Sequence, residues 1–352
     1  MPPIPVRLRK RPDLAFIGSD PVHLGLAVCA AILCLFCVLA GRGKELSAFG
    51  QSLGTGTLLL VGALALPAVL HDVGDFRRRD ASLMIPWGIL FIVLIKQSIL
   101  IATARAFPLR DQLFRHWDES LGLRIPDLVR WASHNALGQL VSRSYVWLEP
   151  MMVCAVLLPL IFARPVSVRR YVVANALAIV VALPCILLLP AIGPWIGWGF
   201  APDSAQQAWD FGFRAVRAGT ANHTNTVASV CLPSFHVFWA LASAQALWFL
   251  RWLRIPIAVL AAFIVCSTLT TGWHYGVDII AGLALWFVST AAAHALTRRS
   301  SPTPVKVLIE AYAIAPGNSE VPAVPETVSC LDQRISGPDA FPGSGSAADH
   351  LQ

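Results

Sequence analysis

Charge is what this chain has least of. Of its 352 residues, 13% are Asp, Glu, Lys or Arg and 56% are hydrophobic, against roughly 25% charged in soluble domains. So thin a supply of charge excludes a fully hydrated surface and makes lipid the expected solvent. Methionine and tyrosine are also sparse, at four each. Cysteine is not, but none of the eight forms a Cys-x-x-Cys pair in a loop. The one pair at that spacing, Cys34 and Cys37, falls inside an apolar run, where thiols pack as small hydrophobes. Neither a disulfide framework nor a zinc site follows, and with no other metal-ligand cluster, no metal or cofactor is expected. A net charge of +7 would suggest nucleic acid in a soluble protein. Here the basic residues border the apolar runs, so no nucleic-acid partner is expected.

What is present is a series of runs able to cross about 30 Å of hydrocarbon. Eight are read: His23–Gly41, Gly54–Leu70, Leu83–Thr103, Tyr145–Ala163, Tyr171–Ile192, Ser234–Leu250, Ile255–Thr270 and Val277–Leu296. The first reads as a span rather than a signal peptide, because no small-residue cleavage site follows it. The expected fold class is all-α, a polytopic membrane helical bundle of about eight transmembrane helices. Arginine and lysine cluster in every second connection: Arg7–Arg11, Arg77–Arg79, Arg164–Arg170, Arg251–Arg254 and Arg298–Arg299. The positive-inside rule then puts both termini in the cytoplasm of a multi-pass cell-membrane protein. The long connection Ala104–Ser144 reads as an amphipathic helical hairpin on the membrane surface, with Leu113, Trp117, Leu121, Leu128 and Trp131 at near-helical spacing. Four regions are expected: a basic cytoplasmic arm (1–22), two extra helices (23–81), a six-helix catalytic membrane domain (82–299) and a disordered cytoplasmic tail (300–352).

Three ionisable residues do not belong in such surroundings. CLPSFH, Cys231–His236, enters the sixth span from the outer face, and STLTTGWHYGVD, Ser267–Asp278, links the seventh and eighth on that same face. His236, His274 and Asp278 thus reach one depth on one side, and ionisable groups at membrane depth are costly and usually functional. His274 and Asp278 are four apart, one helical face. The carboxylate can hold one ring nitrogen protonated and leave the other as nucleophile or base; a helix-start aspartate beside an interfacial histidine is the plainer reading. Pro233 suits a first helical position. Ser234 can cap the helix or bind an anion at its amides, with His236 in the first turn.

Pro233-Ser234-Phe235-His236, an apolar helix and then Ser267-Thr268-x5-His274-x3-Asp278 resemble the type 2 phosphatidic acid phosphatase superfamily. The branch most similar is that of the fungal inositol phosphorylceramide synthase, an inositolphosphotransferase. Pro190–Trp195, the acidic segment Arg110–Leu123 and Tyr145 resemble weaker parts of that pattern, over about Ser82–Leu296. The resemblance implies a lipid phosphate or phosphodiester as substrate and water or a polyol hydroxyl as acceptor. It also implies attack by His274 to give a phosphohistidine, orientation by Asp278, and acid–base chemistry at His236. Ser234 and Ser267 would contact the phosphate.

Two features of the phosphatase branch are missing. No Lys-x6-Arg-Pro occurs: Lys96 is followed seven residues later by Thr103. Thr268 stands where that branch has an arginine after the serine. Lys96, Arg143, Arg214 and Arg217 are the cations left as candidate phosphate ligands, although Lys96 can equally snorkel, Arg143 anchor the interface, and Arg214 and Arg217 be solvated. Three rival functions remain: a simple lipid phosphate phosphatase, a transporter with a proton-relay histidine pair, and a non-catalytic lipid-binding descendant.

Overall fold

The computed structural model describes residues 20–41, 75–221 and 231–299, with scattered positions between 43 and 70. Residues 1–19 of the basic arm, part of Gly54–Leu70, Asn222–Val230 and the tail after Arg299 lie outside the described residues. Among the described residues every regular element is a helix, and six are long and apolar enough to cross a membrane.

The helices are α1 Pro21–Ala40, α2 Phe76–Ser82, α3 Met84–Ala104, α4 Asp111–Ser120, α5 Ile125–His134, α6 Ala136–Arg143, α7 Leu148–Ile161, α8 Pro165–Leu188, α9 Pro194–Trp198, α10 Ser204–Arg217, α11 Phe235–Ala246, α12 Arg254–Thr270 and α13 Gly276–Arg299. Helix α8 is the axle of the bundle. Over half of its apolar window, 56%, is buried, against 28% for α12 and α13, as expected of a helix apolar on every side. It packs on α1, α3, α7, α11 and α13 through small and branched residues such as Ala174, Ala178, Ile179 and Ala182. Two polar ties cross from it to α11. Trp239 Nε1 donates to Asn175 Oδ1 at 2.9 Å, and the Tyr171 hydroxyl meets Ser243 Oγ at 3.3 Å. Such ties specify a helix register in lipid more than they add stability.

Three sequence readings change. The sixth apolar run forms a helix of only 12 residues, ending at Ala246, too short to cross hydrocarbon unaided. Pro233 lies one residue before the cap rather than inside the helix, because Ser234 takes the cap position and accepts from Val237 N at 3.4 Å. The surface segment is amphipathic, but Trp117, Leu121 and Trp131 are its exposed side. The packed face of α4 is Asp111, Phe114 and Asp118.

The basic segments gather at one end of the bundle. Arg78 donates to the Ile161 carbonyl, Arg169 pairs with Asp20 at 3.1 Å, Arg164 stacks over Phe249, and Arg170 reaches Thr297. These contacts join α2 to the end of α7, the starts of α1 and α8 to each other, and the start of α8 to the ends of α11 and α13. The first turns of α11 and α13, with the histidines, are at the opposite end.

Candidate active site

Backbone geometry at the starts of α11 and α13 brings the three ionisable residues together. The Ser234 N–H donates to the Asp278 carbonyl at 3.0 Å, joining the two helix starts. Gly282 makes the approach possible: a Cβ there would stand 2.6 Å from the Ser234 carbonyl oxygen and 2.9 Å from Val237 Cβ. The Tyr275 N–H donates to Asp278 Oδ2 at 2.9 Å, closing the first turn of α13 over its own carboxylate.

His274 sits at the centre. Its Nδ1 is 3.3 Å from Asp278 Oδ2, and its Nε2 is 3.3 Å from His236 Nδ1. His274 is 4% exposed and Asp278 fully buried. With Nδ1–H donating to the carboxylate, Nε2 of His274 carries the lone pair and accepts from Nδ1–H of His236. His236 stacks on Tyr145, ring centroids 4.5 Å apart. The imidazoles line a cavity of about 390 Å³ with Tyr145, Trp209, Trp239 and Trp273. Its remaining wall is apolar, and among the described residues no lysine or arginine lines it.

The other sequence candidates are placed differently. Ser234 is fully buried and occupied as the α11 cap. Ser267 is also fully buried and donates to the Ile264 carbonyl at 2.6 Å. Lys96 is exposed, one turn away from Ile99, which is the residue α3 contributes to the cavity. Arg143 is exposed at the end of α6. Arg214 pairs with Asp210 at 2.7 Å on the surface of α10. Arg217 donates to the Phe107 carbonyl at 2.8 Å, and its Nη1 is buried without a hydrogen-bond partner among the described residues. The structure thus joins His236, His274 and Asp278 and leaves the expected cations outside the cavity wall.

Sequence reasoning missed two residues behind the site. Asp118 on α4 accepts from Gly276 N and Val277 N, each at 3.0 Å, so both oxygens hold the first amides of α13. A carboxylate there also complements the helix dipole. Asp111, two turns earlier, accepts from Ile192 N and Gly193 N at 3.0 and 2.9 Å, and the Tyr275 hydroxyl lies 2.9 Å from it. Burial pushes both carboxyls above the usual range. Asp118 reaches about 6, with its two amide hydrogen bonds pulling back; Asp111 is opposed by Gly193, Ile192 and Tyr275. The available signal was the spacing: 111, 114 and 118 share one face, so two acids flank a buried phenylalanine.

No group of three or more His, Cys, Asp or Glu side chains that could hold a metal occurs among the described residues. The pair of imidazoles and one carboxylate is a donor set for acid–base and nucleophilic chemistry. Comparison with known proteins gives one finding: neither curated proteins nor solved structures yield a significant match, but the PAP2 superfamily model matches residues 112–292. That stretch is just over half of the chain and contains His236, His274 and Asp278, and on it the chain belongs to the PAP2 superfamily of membrane phosphatase- and phosphotransferase-type proteins.

Proposed function

We propose that the protein moves a phosphoryl-type group of a membrane lipid by way of a phosphohistidine at His274. The observation that carries this reading is the pair of contacts at His274: one ring nitrogen on a buried carboxylate, the other on a second imidazole, both at 3.3 Å. Asp278 fixes the Nδ1–H tautomer, the orienting role a carboxylate takes beside a histidine in catalytic triads. Nε2 of His274 then attacks phosphorus as the bond from phosphorus to the lipid alkoxide breaks. His236, protonated for this step, gives that alkoxide its proton. In the second half, the acceptor hydroxyl passes its proton to His236 and its oxygen displaces His274 from phosphorus.

Substrate entry has a cost visible in the geometry. At 3.3 Å the two ring nitrogens leave no room for a phosphorus between them, so the substrate must separate the rings and replace the hydrogen bond between them. His236 is the ring free to turn, since it is held by a face contact with Tyr145 while His274 is clamped by Asp278. The largely apolar, aromatic cavity suits acyl chains or a glycerol backbone near the reacting centre. By the positive-inside rule the site faces away from the cytoplasm, because the arginine-rich connections are at the other end.

Within this class we favour the inositolphosphotransferase-like reading over plain hydrolysis. The Lys-x6-Arg-Pro sequence and the arginine after Ser267 are missing, and among the described residues no cation lines the cavity. A site without a dense phosphate clamp suits a phosphodiester, which carries one charge fewer than a monoester.

The test is turnover by the purified full-length protein on phosphatidate, undecaprenyl diphosphate and phosphatidylinositol, with and without inositol and a chelator. Release of diacylglycerol from phosphatidylinositol, with its phosphoinositol group carried to the added inositol hydroxyl, is the expected result, unaffected by chelator. Release of inorganic phosphate from phosphatidate would instead make the protein a lipid phosphatase. No turnover of any of the three, or a His274→Ala variant with turnover near the parent's, would remove the enzyme reading.

A further inference from the structure

A second cavity, with polar and charged groups set in a partly apolar wall, lies at the basic end of the bundle. It occupies about 340 Å³ between α8, α11, α12 and α13, lined by Arg170, Arg254, His294, Gln245, Ser167 and Thr290. That volume is within the roughly 300–1,000 Å³ typical of small-ligand pockets. It is remote from the catalytic residues: His294 follows Asp278 by 16 residues on α13, about 24 Å at 1.5 Å per residue. Nothing in the proposed chemistry uses it.

Two observations separate this cavity from the ordinary arginine decoration of a membrane edge. The first is that its cations are held in place, Arg170 across helices and Arg254 within the α11–α12 connection. Arg170 Nε donates to Thr297 Oγ1 at 3.2 Å. Arg254 Nε donates to the Trp248 carbonyl at 2.8 Å, with its guanidinium over the Trp248 ring. Both side chains are half-buried. Gln245 Nε2 meets His294 Nε2 at 3.3 Å, which orders the polar wall between them. The second is charge balance. At the same end Arg78 pairs with Asp75 and Arg169 with Asp20, yet no carboxylate among the described residues is within ion-pair distance of Arg170 or Arg254. Two guanidiniums with no carboxylate partner among the described residues thus face one cavity, and the forked donors of arginine match phosphate oxygens.

We propose that this cavity binds a phosphate anion, carried by the headgroup of an anionic phospholipid in the leaflet opposite the catalytic histidines or by free phosphate. Basic pockets between transmembrane helices recognise anionic headgroups by the same chemistry. Here the site touches α8, the central helix, and both α11 and α13, which carry His236 and His274. Its occupancy therefore bears on the elements that carry the active residues without contacting them. The proposal does not rest on the phosphotransfer reading.

Native mass spectrometry of the full-length protein in micelles tests it, with phosphatidylglycerol, phosphatidylcholine or inorganic phosphate added separately. Wild type and His274→Ala should retain a phosphatidylglycerol adduct and no phosphatidylcholine adduct. The Arg170→Gln/Arg254→Gln variant should bind phosphatidylglycerol at least tenfold more weakly, while Arg170→Lys/Arg254→Lys stays closer to wild type. If inorganic phosphate gives the arginine-dependent adduct and the lipid does not, the anion site stands and its ligand is the free ion. If the double Gln variant does not purify, the single variants decide, each expected to weaken binding at least threefold. Adducts equal in the Gln variants and wild type, or lost on His274→Ala, would overturn the proposal.

Discussion

Asp118 grips the amides of two consecutive residues, Gly276 and Val277, one with each carboxylate oxygen. An asparagine there would keep one acceptor and turn an amide N–H₂ toward the second backbone N–H. Leaving a buried donor unmet costs about 1–3 kcal/mol, and the displaced element is the turn that carries His274. Asp118→Asn is therefore expected to lower kcat about tenfold with little change in KM, the split of a positioning residue. Asp278→Asn removes the group that orients the nucleophile and should cost far more, on the order of 10⁴ in kcat by analogy with triads that lose their carboxylate. A stability measurement separates the two further. Burial raises Asp118 to about 6, against about 3.9 in an unfolded chain. Between these pH values the folded protein keeps a proton that the unfolded chain has released, so stability falls as pH rises from about 4 to about 6 and is level above. Thermal melts of wild type should show this slope relative to Asp118→Asn; parallel profiles would mean that Asp118 does not titrate in that window. The contrast explains what could be read in advance. His236, His274 and Asp278 stand out in sequence because each is an ionisable residue bordered by apolar runs. Asp111 and Asp118 do not, because an acidic residue in an amphipathic segment is normally a solvated one, and only packing turns that face inward.

Helices α11 and α13 meet at their first turns, and their separation fixes the distance between the two imidazoles. Gly282 is the position that permits it: a methyl group would press on the Ser234 carbonyl at 2.6 Å, and backbone cannot yield as a flexible side chain does. Gly282→Ala should push α13 off α11, lower Tm, and reduce kcat by tenfold or more as His236 and His274 part. Gly88→Ala on α3 is the control, since a Cβ there meets nothing within 4 Å; it should leave both measurements unchanged. A Gly282→Ala protein as active and stable as wild type would show that the spacing is set elsewhere. At this scale the sequence was readable in kind rather than in length. Periodicity identified α4 and α5 as amphipathic but not which stripe packs, because Trp117, Leu121 and Trp131 suit a lipid interface as well as Phe114 suits a protein one. The extent of α11 was hidden for a related reason. Leu247–Leu250 is as apolar as the helix before it, and the chain leaves the helix there with no glycine or proline to mark the end.

Across the whole molecule the informative pattern is the separation of the two ends. One gathers the arginines of four connections and the cavity that Arg170 and Arg254 line; the other gathers two imidazoles, one acid and an aromatic pocket. Charge asymmetry of this kind sets orientation during insertion, so the proposed sidedness of the chemistry rests on that distribution of residues. Hydropathy made the bundle legible, because every span must satisfy its own backbone in lipid. The meeting of α4 with the α8–α9 connection and the start of α13 was not legible, because it depends on hydrogen bonds between segments some 80 and 160 residues apart. Sidedness can be measured without any assay of activity. Ser120 is exposed on the surface segment at the histidine end, and Trp252, 96% exposed, lies at the arginine end. A membrane-impermeant maleimide should label Ser120→Cys in intact cells and label Trp252→Cys only after permeabilisation, each above the background of the native cysteines. The reverse pattern would put the imidazoles in the cytoplasm and require a substrate from the inner leaflet. The arginine cavity would then face outward, where the attraction of cytoplasmic anionic lipid is lost.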